Sequence, residues 1–245
     1  MNEREIIKLA KAKYKLGARR LEKVIERDCG IHIPHNRIHQ HLLKEGLAKE
    51  ESKKKKRRKP YIRYEREHTM SAGHIDWYDS GFNNTKFCAI LDDASRKILV
   101  AGEFQMADTD NSILLVDQMV ERYWDILPMR ELILDNGSQF GAHRRGDNKE
   151  WDSRFKRHVE SFGIKLIPTS IKHPQTNGKI EKFFDCYNRY RGDFESLNAF
   201  IEWYNTVRPH ESLDTKWYLQ TPEEAFWGRL PVEVRVGMAA KMFGW

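Results

Sequence analysis

Three acidic residues stand in settings that free a carboxylate for chemistry. Asp76 lies inside the alternating stretch AGHIDWYDS. Successive side chains of an extended chain point to opposite faces, so His74, Asp76 and Tyr78 share one face while Ile75 and Trp77 take the other. Asp135 ends the short apolar run ELILD and is followed by Asn136 and Gly137, a dipeptide that breaks regular structure and leaves the carboxylate at a strand tip. Strand tips are where mixed and parallel sheets place their sites. Glu181 follows the loop sequence HPQTNGK where a helix opens, so its side chain can reach back over a sheet edge.

Carboxylates from separated segments, if they converge, offer the hard oxygen ligands that divalent cations such as Mg²⁺ take. Two such ions suit an in-line phosphoryl displacement, one activating a water or hydroxyl and the other steadying the leaving oxygen. Taken singly, each acid reads more readily as a surface charge or a cap. The pattern gains force from the elements around it.

From Ser71 onward the sequence alternates in short apolar runs separated by turns. AGHIDWYDS, TKFCAILDD and RKILVAGEF predict three successive antiparallel strands in a meander. Helical spacing returns over 110–126, with Ile113, Leu114, Val116, Val120, Tyr123 and Trp124 assigned to the buried side. A strand over 131–135, a helix over 154–162, a fifth strand in IKLIP and a helix over 178–190 complete the order β-β-β-α-β-α-β-α. That order predicts an α/β fold, a mixed sheet with helices on its faces.

The first fifty residues read differently. Helices are predicted over 3–14, 18–28 and 36–45, with buried stripes from Ile6, Ile7, Leu9 and Ala10, from Leu21, Val24 and Ile25, and from Ile38, Leu42 and Leu43. Helices this short must pack together to persist. Gly30 suits a left-handed cap after the second. The outline is a small all-α helix-turn-helix, in which the last helix enters the major groove. Its exposed face would present Asn36, Arg37, His39, Gln40 and Lys44 to DNA; a plain three-helix bundle fits the periodicity as well. The sequel is Lys53, Lys54, Lys55, Lys56, Arg57, Arg58 and Lys59, a run that repels itself in any packed structure. It reads as a solvated linker that lies along phosphates and releases counterions, or as a nuclear-type address.

Charge follows the same division. Of a formal net charge of +7 in 245 residues, residues 1–68 carry +11 and residues 69–245 carry −4. A basic head on a mildly acidic body points to a polyanionic partner for the head. The opening stretch is charged and no apolar run approaches the roughly 18 residues of a membrane span, so a non-secreted protein outside the membrane is expected. Cys29, Cys88 and Cys186 lack paired C-x-x-C spacing and are expected to be reduced thiols. Neither His173 nor His210 has a Cys or His partner at zinc-ligand spacing.

These segments together resemble a known family. GHIDWYDS around Asp76, FCAILDDASRKILVAGEF, LILDNGSQF around Asp135 and HPQTNGKIEKFF around Glu181 are similar to the catalytic core of DDE transposases and retroviral-type integrases, which has a ribonuclease H-like fold. The stretch WYNTVRPHESLDTKWYLQTPEEAFWG resembles the continuation seen in many bacterial and archaeal insertion-sequence transposases, and the helix-turn-helix resembles their end-binding domains. The likeness extends over 71–228. It implies that Asp76, Asp135 and Glu181 are catalytic and bind two Mg²⁺ or Mn²⁺ ions, that one DNA strand is cut to expose a 3′-hydroxyl, and that this hydroxyl attacks target DNA. There are 58 residues between Asp76 and Asp135 and 45 between Asp135 and Glu181. The second gap exceeds that of retroviral integrases, with the excess assigned to the polar insertion 141–154.

The expected organisation is therefore a helix-turn-helix over 1–50, a basic linker over 51–68, a catalytic core over 69–228 and a tail over 229–245. Asn136, Gly137 and Gln139 are expected to shape the loop after the second acid, and His173 and Pro174 the loop before the third. Lys179 and Lys182 flank Glu181 as candidate phosphate contacts, although lysines on helices are often merely solvated. Asp92 and Asp93 read as a turn with Ser95 and Arg96, and stand in reserve as acids. The expected partners are double-stranded DNA, both element ends and target, and further copies of the chain, since two ends must be handled at once. Phe200 to Trp227 and Val232 to Trp245 are candidate interfaces. The expected location is cytoplasmic and nucleoid-associated in a prokaryote, nuclear in a eukaryote. A regulator that has kept the head but lost catalysis, and a nuclease of the same fold that cuts without joining, are the competing readings.

Overall fold

The computed structural model describes residues 2–49, 65–135, 137–141, 151–169, 178–215 and 218–243. The chain divides into two compact units, one of residues 1–63 with 207–221, the other of residues 64–206 with 222–245.

The first unit is built on three helices, α1 (Glu3–Tyr14), α2 (Ala18–Cys29) and α3 (His35–Lys44). A reciprocal capping box starts α1: the Asn2 side chain accepts from the Glu5 N–H, and the Glu5 carboxylate accepts from the Asn2 N–H. Gly30, with φ of 66°, ends α2 in the left-handed region, as the sequence indicates. Ile6, Ile7 and Tyr14 of α1, Leu21, Val24 and Ile25 of α2, and Ile38 and Leu42 of α3 form one apolar core. Leu9 is 58% exposed: Ile6, Ala10 and Tyr14 mark the buried stripe, and Leu9 lies beyond its edge, on the side of Ile6 away from Ala10. Leu219 joins this core, and Arg20 pairs with Asp214 at 3.1 Å. The stretch 207–221 thus packs with helices some 190 residues earlier, a pairing that local periodicity does not encode.

The second unit is a five-stranded sheet in the order β3-β2-β1-β4-β5, with β1 Gly73–Asp79, β2 Lys86–Asp92, β3 Ile98–Phe104, β4 Glu131–Leu134 and β5 Lys165–Pro168. The first three strands form the expected antiparallel meander. β4 pairs with β1, and β5 with β4, both in parallel. Between them run α4 (Thr109–Tyr123) and α5 (Arg154–Ser161), followed by α6 (Gly178–Tyr190), α7 (Leu197–Glu202), α8 (Pro222–Gly228) and α9 (Val232–Phe243). This is the mixed α/β sheet of the ribonuclease H-like fold.

Two tight devices hold the strand ends. Asp92, fully buried, accepts from the N–H of Met70 at 2.8 Å, the N–H of Ser95 at 2.7 Å and the hydroxyl of Ser95 at 2.6 Å. It closes the β2–β3 turn, where Arg96 takes a φ of 63°. Asp108 caps α4 through the N–H of Asn111. Along α4 the buried face carries Ile113, Leu115, Val116, Met119 and Tyr123. Leu114 and Trp124 are 45% and 46% exposed, so the expected stripe is turned by one position, toward Leu115 and Met119. On the other side of the sheet, α6 buries Ile180, Phe183, Phe184, Cys186 and Tyr187, and Tyr187 stacks on Phe87 of β2 with centroids 3.9 Å apart. Among the described residues no helix is long and apolar enough to cross a membrane. Cys29, Cys88 and Cys186 are not joined in disulfides.

Candidate active site

β1 and β4 run side by side in parallel, with Ile75 opposite Leu134 as their last paired rung. Asp76 and Asp135 are the next residue on each strand, so the sheet itself brings two carboxylates to neighbouring positions. Asp76 is half-buried at the middle of β1 and accepts from the N–H of Trp77 at 2.8 Å. Asp135 lies just past β4, where its carboxylate accepts from the N–H of Gly137 at 2.9 Å. Glu181 sits, exposed, in the first turn of α6.

Electrostatics register the grouping. Burial pushes the Asp76 carboxyl up and the charge of Asp135 pushes it further, the Trp77 N–H opposes them, and Glu181 adds the smallest upward effect; the result is about 7. A carboxylate held near neutrality by its neighbours is a common mark of a functional cluster. The buried Cys88 thiol is also raised, first by burial and then by Asp76 and Asp135. Among the described residues no three acidic, histidine or cysteine side chains lie close enough to share one metal ion. The structure therefore joins Asp76 to Asp135 and sets Glu181 within electrostatic reach, short of a closed three-ligand cage.

The donor set suits a divalent cation in kind. Three carboxylates of like charge, with one forced toward its protonated form, carry a repulsion that a dication relieves, and oxygen ligands are those Mg²⁺ and Mn²⁺ accept.

Comparison with known proteins bears on this arrangement. A family model described as an integrase core domain matches residues 162–216, which include the first turns of α6 and Glu181. A putative integrase, ORF3 of Spiroplasma virus SpV1-C74, is 26% identical over 144 residues, 53% of this chain and 39% of that protein. The simian T-cell lymphotropic virus intasome, solved in complex with the PP2A regulatory subunit B56 gamma, aligns with 92% of this chain and 76% of its own at a TM-score of 0.50 and 13% identity. The fold is similar to that of integrases. The catalytic core domain of BIV integrase aligns with 71% of this chain and 99% of its own, at 18% identity and a TM-score of 0.47. The chain spans about two fifths of the length of its curated viral relative.

Around these acids, Asp92 makes the turn with Ser95 and Arg96 that the sequence suggests, while other residues find partners that it does not indicate. Asp92 is a turn clamp, as described above. Asp93 accepts at Oδ1 from the buried His74 Nε2 at 2.7 Å and from Lys179 Nζ, and at Oδ2 from the N–H of Arg66 at 2.7 Å. Burial alone would raise its carboxyl, but His74 and Lys179 outweigh burial and hold it well below the usual range. Neither Asp92 nor Asp93 is left as a spare ligand. Lys179 is thus turned inward to Asp93, whereas Lys182 is exposed and 3.4 Å from Asp185. Gln139 is tied through its backbone carbonyl to the Thr109 hydroxyl at 2.8 Å. His210 accepts at Nδ1 from the N–H of Ser212 at 3.3 Å, at the start of a short 3₁₀ turn. Asn136, His173 and Pro174 lie outside the described residues.

In the helical unit, Asn36, Arg37, Gln40 and Lys44 are exposed and His39 is half-buried. Arg37 pairs with Glu3 at 2.8 Å, still largely open to solvent. Lys53 to Lys59 lie outside the described residues.

Sequence reasoning put His74 on the face of Asp76 without a role. Its signal was the i, i+2 spacing; its partner across the β2 turn could not be found without the register of β1 against β2.

Proposed function

We propose that the protein is a transposase: a polynucleotidyl transferase that cuts one strand at an element end and joins the new 3′-hydroxyl to target DNA, with Asp76, Asp135 and Glu181 as its catalytic and metal-holding residues. The observation that carries this reading is the parallel register that sets Asp76 beside Asp135 at the ends of two neighbouring strands, in a fold similar to that of integrases and with an integrase core family match over 162–216; the Asp76 carboxyl, raised to about 7 by burial and then by Asp135, agrees with it.

Asp76 and Asp135, fixed by adjacent strands, would supply the rigid part of the grip. Glu181, exposed on the first turn of a helix, would supply the adjustable part, closing once the repulsion among the acids is neutralised. Two Mg²⁺ or Mn²⁺ ions held there would activate the attacking oxygen and stabilise the leaving one. The Trp77 N–H on Asp76 and the Gly137 N–H on Asp135 orient both carboxylates before any ion arrives. The chain bonds to no intermediate in this scheme; the attacking group is water and then a DNA 3′-hydroxyl.

The helical unit would recognise the element ends, with Asn36, Arg37, His39, Gln40 and Lys44 of α3 facing the major groove. Lys53, Lys54, Lys55, Lys56, Arg57, Arg58 and Lys59 would add salt-sensitive phosphate contacts, as would Lys182. One solved neighbour is an intasome, and we extend to this chain the expectation that it works on DNA as a homodimer or larger assembly. The proposed division into a head, a basic linker, a core and a tail follows the same reading.

Incubation with Mg²⁺ and labelled duplexes carrying the terminal repeats that flank the reading frame tests the proposal. Joined products are expected. Cleavage without joining would favour a nuclease of this fold, and binding without cleavage a regulator.

A further inference from the structure

The structure holds a second polar cluster one step below the proposed catalytic one. On β1, His74 and Asp76 share a face two residues apart; on α6, Lys179 and Glu181 stand in the same first turn but on different sides of the helix, Lys179 toward the sheet and Glu181 exposed. Asp76 feels Glu181 electrostatically. His74 and Lys179 meet on a single oxygen, Oδ1 of Asp93. The lower rung is nearly closed to solvent: the side chains of His74, Asp93 and Lys179 are 2%, 6% and 15% exposed.

Nothing in this cluster fits a surface ion pair. His74 Nε2 meets the Asp93 carboxylate, and Nδ1 is left buried with no partner. A buried polar atom without a partner is costly, and a lysine drawn out of water likewise. Such costs are borne where the placement matters.

What Lys179 places is the start of α6. Downstream, the helix is seated by Phe183, Phe184 and Tyr187, and by the Tyr187 hydroxyl donating to Glu103 at 2.6 Å. Those anchors lie toward the middle of the helix. In the first turn, where Glu181 projects outward, Ile180 supplies the apolar contact and Lys179 the polar tether to the sheet.

We propose that Lys179 and Asp93 are positioning residues that fix the first turn of α6 so that Glu181 can complete the metal grip. The inference rests on the reading of Glu181 as a ligand. It reassigns Lys179, whose ammonium would otherwise be counted among phosphate contacts, to a task inside the protein.

The sign of one measurement separates positioning from simple charge. A cation beside a metal site repels the metal, so removing it should tighten binding if charge is all that matters. Positioning demands the reverse. Mn²⁺ binding to the full chain, measured by calorimetry without DNA, is expected to weaken about tenfold in Lys179→Met, the scale typical of lost outer contacts to a metal ligand, and to stay near wild type in Lys179→Arg. Asp93→Asn, which keeps the shape of the side chain, is the second variant and should weaken binding in the same direction. In a Glu181→Ala background, Lys179→Met should weaken binding no further, because coupled residues are not additive. Unchanged or tighter binding in both single variants would overturn the inference. Equal weakening with and without Glu181 would also overturn it while leaving the function standing. If Glu181→Ala alone leaves Mn²⁺ binding intact, Glu181 is not a ligand, and the functional reading fails together with this one.

Discussion

Asp76 and Asp135 each stand one residue beyond the last paired rung of β1 and β4, Ile75 opposite Leu134, so a parallel register rather than a loop conformation makes them neighbours. A pair placed in this way cannot move apart without breaking the sheet, and the cost of its like charges has to appear elsewhere.

That cost should appear in stability. The Asp76 carboxyl is raised from an ordinary carboxylate value to about 7, so the folded chain binds a proton that the unfolded chain has released. The stabilisation is complete below about pH 4 and is lost as pH rises through 7. Without metal, Asp76→Asn is expected to raise the unfolding temperature at pH 8 and to have little effect at pH 4, with a difference on the order of 2–4 kcal/mol. Thermal unfolding of both forms at the two pH values checks this; an equal effect at both would remove the electrostatic explanation.

Metal should compete with the same proton. Mn²⁺ affinity is expected to rise with pH up to about 7, by roughly tenfold per unit for one proton displaced, and to level off above it. Activity at limiting metal should follow the same curve, and saturating metal should shift its midpoint to lower pH. A flat affinity between pH 5.5 and 8 would show that Asp76 is not a ligand.

The edge strand β3 carries a buried ion pair on the same face of the sheet as Asp76, two strands away. Arg191 meets Glu103 at 2.7 Å, largely buried, and Tyr187 donates to the same carboxylate. Glu103→Ala leaves the guanidinium uncompensated and is expected to cost about 3–5 kcal/mol, read by urea unfolding.

The helical unit depends on a distant piece of chain. Leu219 is buried against its core, and Asp214 pairs with Arg20. Leu219→Ala is expected to destabilise this unit by about 2–4 kcal/mol and to weaken binding to element ends. In the full chain, a footprinting assay should show loss of end-specific protection. Retention of full protection would mean that residues 1–63 recognise the ends alone.

Much of this was legible in the sequence, for reasons that differ by element. The meander and both later strands announced themselves by period-two alternation and short apolar runs, because each strand has to bury one face. Asp135 stood out because an Asn-Gly dipeptide follows it at the end of a strand. Leu9 and Trp124 were assigned inward because short helices leave the phase of the apolar stripe uncertain by one position. Lys179 looked like a solvated helical lysine; its partner Asp93 is 86 residues away, and only the tertiary fold brings them together. The packing of 207–221 with α1 to α3 was hidden for the same reason, since no local pattern encodes a contact between distant segments.

The central claim is that three carboxylates act as one metal-dependent centre, and strand joining tests it most directly. A pre-cut, labelled element end should be incubated with plasmid target and Mg²⁺ at pH 8, using wild type and the variants Asp76→Asn, Asp135→Asn and Glu181→Gln. Each variant is expected to bind the end as tightly as wild type and to join it at least about a thousandfold more slowly, the scale on which electrostatic transition-state stabilisation is lost. A variant that joins DNA at nearly the wild-type rate would show that its residue does not belong to the centre, and the account would not survive that result.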